Sequence, residues 1–307
     1  MSRVSSFGHH SAMLQGLLDS QSRLYATQQQ INTGKKTTEF RGMARETQTL
    51  LGAKSLLTRT QGYIATAREI GQRLDSTELQ LETVHKAAED LKLALTEAVG
   101  QGKVIAFDET LEQAASIIMN ALNTNIGGVY LFAGSRTDVK PVSGSGLADL
   151  MAAASVADLF NNDQMRLSAK LNDNVELTYG VVASEVAQDL LTSIRNIADF
   201  HAGAAGPLEG NLDPAQRAFL TSEIPNLTAA LDKVQTLIAE NGLRQNRVEA
   251  VTEELDKSAT FLEIFVSDIE DVNVAEAITR LNMDQMSLQA SFSVISTLSR
   301  LSLVNFL

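Results

Sequence analysis

Residues 13–31 read MLQGLLDSQSRLYATQQQI, and residues 278–298, near the opposite end, read ITRLNMDQMSLQASFSVISTL. In the first stretch Met13, Leu14, Leu17, Leu18, Leu24, Gln28 and Ile31 recur at three- and four-residue spacing, the mark of one helical face. In the second, Ile278, Leu281, Leu288, Phe292, Ile295 and Leu298 do the same. Neither stripe sustains a helix alone, because helices draw most of their stability from packing an apolar face on something else. Three partners are open: the opposite end, another subunit, or both.

Working inward, residues 43–99 lack proline and take a heptad pattern. Ile70, Thr77, Val84 and Leu91 share one position and Leu74, Leu81, Ala88 and Leu95 the other, as in coiled coils. Gly100 and Gly102 end this helix, and Leu111, Ala114, Ala115, Ile118 and Leu122 predict a second, making a helical hairpin. Residues 129–133, VYLFA, predict a strand, and the glycine- and serine-rich residues 134–146 a loop. Met165, Leu167, Ala169 and Leu171 alternate before the turn at 172–174, and Val175, Leu177 and Tyr179 after it, predicting a β-hairpin. A short helix is expected within 149–160. Helical pattern resumes over 184–200, breaks at 203–214, and returns through Leu307, with Val248, Leu255, Leu262 and Ile269 seven residues apart and Val251, Phe265 and Val272 beside them. Within the chain such stripes predict an ordinary intramolecular bundle.

The expected fold is mainly α: a long antiparallel helical or coiled-coil rod formed by the N- and C-terminal segments, with a small β-containing inserted domain. Its expected parts are 1–40 with 275–307 as a terminal assembly domain, 41–129 with 183–274 as a helical rod, and 130–182 as the insert.

A net charge of −12 argues against nucleic acid as the main partner and against anionic membranes. The absence of cysteine excludes disulfides and thiolate chemistry. MSRVSSFGHH is not expected to be a cleaved signal, and no apolar run reaches the length of a membrane span. Residues patterned for chemistry are few. Adjacent His9 and His10 would point to different helix faces, and His85 with Glu89 makes only half a metal site. The acidic run of Asp268, Glu270, Asp271 and Asn273 lacks the glycine and the closing glutamate of a calcium loop and reads as charged helix surface. GVYLFAGS, residues 128–135, has neither the glycine spacing nor the lysine of a phosphate loop. The sequon at Asn226 lies within a predicted helix. No catalytic, cofactor or metal site is expected.

The ends also carry a family resemblance. Arg3-Val4-Ser5-Ser6 and residues 21–36, QSRLYATQQQINTGKK, resemble the N-terminal helix of flagellins and flagellar hook-associated proteins. Residues 271–281, DVNVAEAITRL, with Leu288-Gln289-Ala290-Ser291-Phe292 and Leu301-Ser302-Leu303, resemble their C-terminal helix. Residues 127–137, GGVYLFAGSRT, and the ending Leu303-Val304-Asn305-Phe306-Leu307 are similar to the hook-associated protein 3 branch, which joins hook to filament. TTEFRGMA, residues 37–44, departs from the aspartate-rich turn common in the family. The resemblance implies a secreted component of the bacterial flagellum at the hook–filament junction, exported by the type III apparatus. It implies self-association in a ring, contact with neighbouring hook-associated and flagellin subunits, and an export chaperone on the C-terminal helix, with no membrane insertion. Filament flagellin is the alternative, and a cytoplasmic coiled-coil scaffold a more distant one. The expected assembly interface is Leu14, Leu17, Leu18, Leu24, Ile31, Ile278, Leu281, Leu288, Phe292, Ile295, Leu298, Leu301, Leu303, Phe306 and Leu307.

Overall fold

A computed structural model describes residues 2–37 and 46–304, with side chains for 8, 11–37 and 46–297. The chain is mainly helical and divides into two compact units, Met1–Arg59 with Ser258–Leu307, and Thr60–Lys257. The described helices are α1 (Ser2–Thr33), α2 (Thr47–Gln101), α3 (Phe107–Leu122), α4 (Leu147–Ala152), α5 (Ala183–Ala202), α6 (Pro214–Glu270) and α7 (Val274–Val304).

The second unit is a bundle of α2, α3, α5 and α6 around one apolar core. The heptad residues of α2, Ile70, Leu74, Thr77, Leu81, Val84, Ala88, Leu91 and Leu95, are all buried, and those from Leu81 onward supply one wall of this core. Leu111, Ala115, Ile118 and Leu122 of α3, Leu190 and Ile194 of α5, and Leu220, Leu227 and Val234 of α6 complete it. Each such leucine or isoleucine contributes about 1.5–3 kcal/mol by leaving water. Here α2 and α6 run antiparallel, as Asn241 Nδ2 donates to the Leu74 carbonyl at 2.9 Å and Arg68 pairs with Asp256 at 3.2 Å. The stripes of α2 are thus satisfied within the chain.

Three two-stranded antiparallel ladders decorate this bundle: β1 (Lys103–Val104) with β6 (Gly210–Asn211), β2 (Asn125–Ile126) with β3 (Val129–Tyr130), and β4 (Leu167–Lys170) with β5 (Glu176–Tyr179). The expected hairpin at 165–179 forms with Leu167 opposite Tyr179. The strand expected over VYLFA does not. Only Val129 and Tyr130 pair; Leu131, Phe132 and Ala133 turn into the core, and the Phe132 carbonyl accepts the Ala183 N–H at 2.9 Å. Full burial, which explains that apolar run equally well, replaces pairing.

The turn that follows accounts for the glycine of GVYLFAGS. Gly134 has φ +69°, and a Cβ there would lie 2.2 Å from Asp163 Oδ1. Asp163 accepts the Ser135 N–H at 2.9 Å, the Met165 N–H at 3.0 Å and the Ser135 hydroxyl, and these bonds, the hydroxyl first, hold its carboxyl below the usual range. The anion bound by this loop is the chain's own.

The final helix is not continuous. α6 stops at Glu270, and Asn273 caps α7, its Oδ1 accepting the N–H groups of Ala275 and Glu276 at 3.1 and 3.3 Å. The acidic run read as one charged helix surface is a helix end, a break and a cap.

Candidate assembly surface

In the first unit α1 packs antiparallel on α7. Lys35 bridges Asp271, and further along Thr27 Oγ1 donates to Asp284 Oδ2 at 3.4 Å while Arg23 Nε lies 3.6 Å from Asp284 Oδ1. Of the partners open to the inner stripes, the structure supplies the opposite end of the same chain.

The seam has two chemistries. Met13, Ser20 and Thr27 occupy one heptad position of α1 and Leu17, Leu24 and Ile31 the other; on α7 the series are Ala277, Asp284 and Ser291, and Leu281, Leu288 and Ile295. Ser20 and Thr27 are 4% and 7% exposed, more deeply buried than any leucine of the predicted α1 stripe. Ser20 donates to the Gly16 carbonyl at 2.8 Å and accepts from Arg23 Nη2 at 2.9 Å. Small and polar layers thus alternate with apolar ones, so the pair gains less from burial than a seam of leucine throughout.

A charged junction closes the base of this pair. Glu270 pairs with Lys54 at 2.7 Å and with Lys35 at 3.4 Å, and Lys35 Nζ lies 2.7 Å from Asp271 Oδ1. Ser267 donates to Asp271 Oδ2 at 2.6 Å. Lys36 N–H donates to the Glu270 carbonyl at 2.8 Å, Val272 N–H to the Gly34 carbonyl at 2.9 Å, and Lys36 Nζ to the Ile269 carbonyl at 3.0 Å. A cation at the carbonyl end of α6 is favourably placed against the helix dipole.

The predicted interface residues fall in three groups. Leu17, Leu24, Ile31, Leu281, Leu288 and Ile295 are half-buried along the seam, whereas Leu14, Leu18, Ile278 and Phe292 are exposed. Leu298, Leu301 and Leu303 lie in α7, and Phe306 and Leu307 fall outside the described residues.

The structure adds an apolar set outside the predicted stripes. Met283, Met286, Ala290 and Val294 follow one another at three- and four-residue spacing on the side of α7 away from Leu281 and Leu288, with Met283 and Met286 61% and 63% exposed. On α1, Tyr25, 70% exposed, continues the line of Leu14 and Leu18. Single exposed apolar residues are ordinary, but aligned sets on two packed helices are the pattern of an interaction surface. Among the described residues no group of histidine and carboxylate side chains could hold a metal ion, and no helix is long and apolar enough to cross a membrane.

The family model described as the bacterial flagellin C-terminal helical region matches residues 224–307. No curated protein matches the sequence. Among solved structures, a Vibrio parahaemolyticus protein provisionally described as flagellar hook-associated aligns with TM-score 0.59 at 13% identity, covering 75% of this chain and 100% of its own. FlgL of Bacillus cereus aligns with TM-score 0.51 at 16% identity, covering 71% of this chain and 99% of its own. At these identities the likeness is one of fold, and the chain has that fold.

Proposed function

We propose that this chain, in which a flagellin-type C-terminal region completes a fold shared with hook-associated proteins, is a structural subunit of the bacterial flagellum that joins hook to filament. The observation that carries the reading is the α1/α7 pair, whose inner seam is half polar and whose outer faces present aligned apolar residues to water. A chain so built gains most by packing against copies of itself. Self-association in a ring follows, with neighbouring hook-associated and flagellin subunits above and below. The interface is the predicted set from Leu14 to Leu307 together with Tyr25, Met283, Met286 and Val294.

Ordering a backbone costs about 1–2 kcal/mol per residue, and covering the outer stripes in the polymer offsets it. The ends therefore become firmly ordered on assembly. Before that, export through the type III apparatus, with a cytoplasmic chaperone over the C-terminal helix, keeps these surfaces apart. The role is structural rather than catalytic.

Filament flagellin is the second reading, with the same physics in many copies; residues 127–137 and the last five residues favour the junction. Locating the protein in purified flagella with gold-labelled antibody separates the two. A single band between hook and filament is expected, label along the filament would make it a flagellin, and its absence from flagella would overturn both. Removal of residues 299–307 should leave the unit Thr60–Lys257 folded while abolishing incorporation.

A further inference from the structure

We infer that Asp284, acting through Thr27 and Arg23, sets the register of α1 on α7 and so aligns the two outer apolar stripes with each other. The inference stands on the geometry of the pair and does not depend on the flagellar reading.

The apolar layers cannot fix this register. With Thr27 level with Asp284, heptad spacing sets Leu17, Leu24 and Ile31 against Ile295, Leu288 and Leu281. A slip of one heptad keeps two of the three apolar layers, Leu24 and Ile31 against Ile295 and Leu288 in one direction, Leu17 and Leu24 against Leu288 and Leu281 in the other. The other layers change, and the junction of Gly34 and Lys36 with Val272 and Glu270 is broken in either slip. Slipped one way, Asp284 comes level with Gly34, a heptad beyond Thr27, and its half-buried carboxylate, 18% exposed, loses both side-chain partners. Slipped the other way it meets Ser20, whose hydroxyl proton already goes to the Gly16 carbonyl and whose oxygen already holds Arg23, and it loses the Thr27 hydroxyl. A buried carboxylate without its partners is costly, so the native register is the one in which both Asp284 oxygens are met.

Register matters here because the outer stripes sit on different helices. One heptad is about 10.5 Å of helix axis, enough to carry Leu14, Leu18 and Tyr25 a full two turns past Met283, Met286 and Val294. A slipped pair would offer a different composite surface to its neighbours.

The chain has no cysteine, so introduced pairs report register without background. A cysteine at Leu288 is combined in the full-length chain with one at Leu24 for the native register, or at Leu17 or Ile31 for the two slipped ones. A disulfide needs Cα atoms roughly 4.4–6.8 Å apart, so a shift of one heptad is resolved. With Asp284 intact the 24/288 disulfide should exceed each of the others by about tenfold or more under a reversible redox buffer, a ratio of about 1.4 kcal/mol or more. In Asp284→Leu the ratio should fall below about threefold. Asp284→Asn keeps the shape and one acceptor oxygen, so it can still accept from Thr27 but not from Arg23 as well, and should retain part of the native preference. An Asp284→Leu chain that still forms only the 24/288 bond would overturn the inference, leaving register to the junction at 270–272. Loss of all three disulfides in that variant would also overturn it, since Asp284 would then determine pairing rather than register.

Discussion

The junction at the base of the terminal pair turns on three side chains whose proton affinities are displaced in a concerted sense. Glu270 is held below its ordinary 4.5, chiefly by the Lys54 hydrogen bond, and Asp271 below 3.8, chiefly by Lys35; Lys35 is held above 10.5, chiefly by Asp271. A lowered carboxylate stabilises the fold above its ordinary value and ceases to as pH falls through the lowered one. A raised lysine stabilises it below its ordinary value and ceases to as pH rises through the raised one. The junction should therefore hold across neutral pH, weaken in acid below 4.5 and again in alkali above 10.5. Melting of the terminal helices, followed by circular dichroism, should come at lower temperature in acid, and Lys35→Met should reduce that dependence. A melting temperature as sensitive to acid in Lys35→Met as in the parent chain would remove Lys35 from the account. These carboxylates were visible in the sequence as an acidic run, but their partners were not, since Lys35 and Lys54 lie more than two hundred residues away and only the fold brings them in.

Among the elements, α2 and α7 contrast in how openly their sequences declare their packing. Along α2 the heptad series ends in burial at every position from Ile70 to Leu95, because a single apolar stripe facing one core is what period-seven spacing encodes. α7 bears apolar residues on two sides. Its inner series includes Asp284 and Ser291, so the sequence weakens there, and Met283, Met286 and Val294 on the other side look like scatter until the helix is seen paired. The break before α7 was hidden for a related reason. Asp271 and Asn273 are compatible with a helix surface, and the end of α6 is met by the backbone bonding of Gly34 and Lys36 to Val272 and Glu270, supplied by the segment that follows α1. The outer face of α7 yields a direct prediction. Each methionine has more than half of its surface still to bury, roughly 1 kcal/mol or more apiece. Met283→Ser with Met286→Ser should raise the concentration needed for self-assembly by about tenfold or more, while helix content of the unassembled chain stays unchanged. Assembly at the parent concentration would exclude this face from the interface.

For the whole molecule, the division into two units predicts unequal stability. The unit Thr60–Lys257 holds the continuous core around Phe132, Leu91 and Ile118, whereas α1 and α7 share a seam of alternate layers. Hydrogen exchange on the unassembled chain should show slow amides along α2, α3 and α5 and fast ones along α1 and α7. Assembly should slow the second group, and equal protection of both groups before assembly would refute the partial order proposed for the ends. The mainly helical fold could be read from period-seven spacing at a distance. How the ends are held could not, because that depends on hydroxyls at Ser20 and Thr27 which a hydrophobic pattern ignores. The alternation of leucine with hydroxyl and carboxylate layers makes the terminal pair a zipper rather than a weld. Each tooth parts with little loss, so a chain drawn out by one end would come undone tooth by tooth, and could close again in the same order.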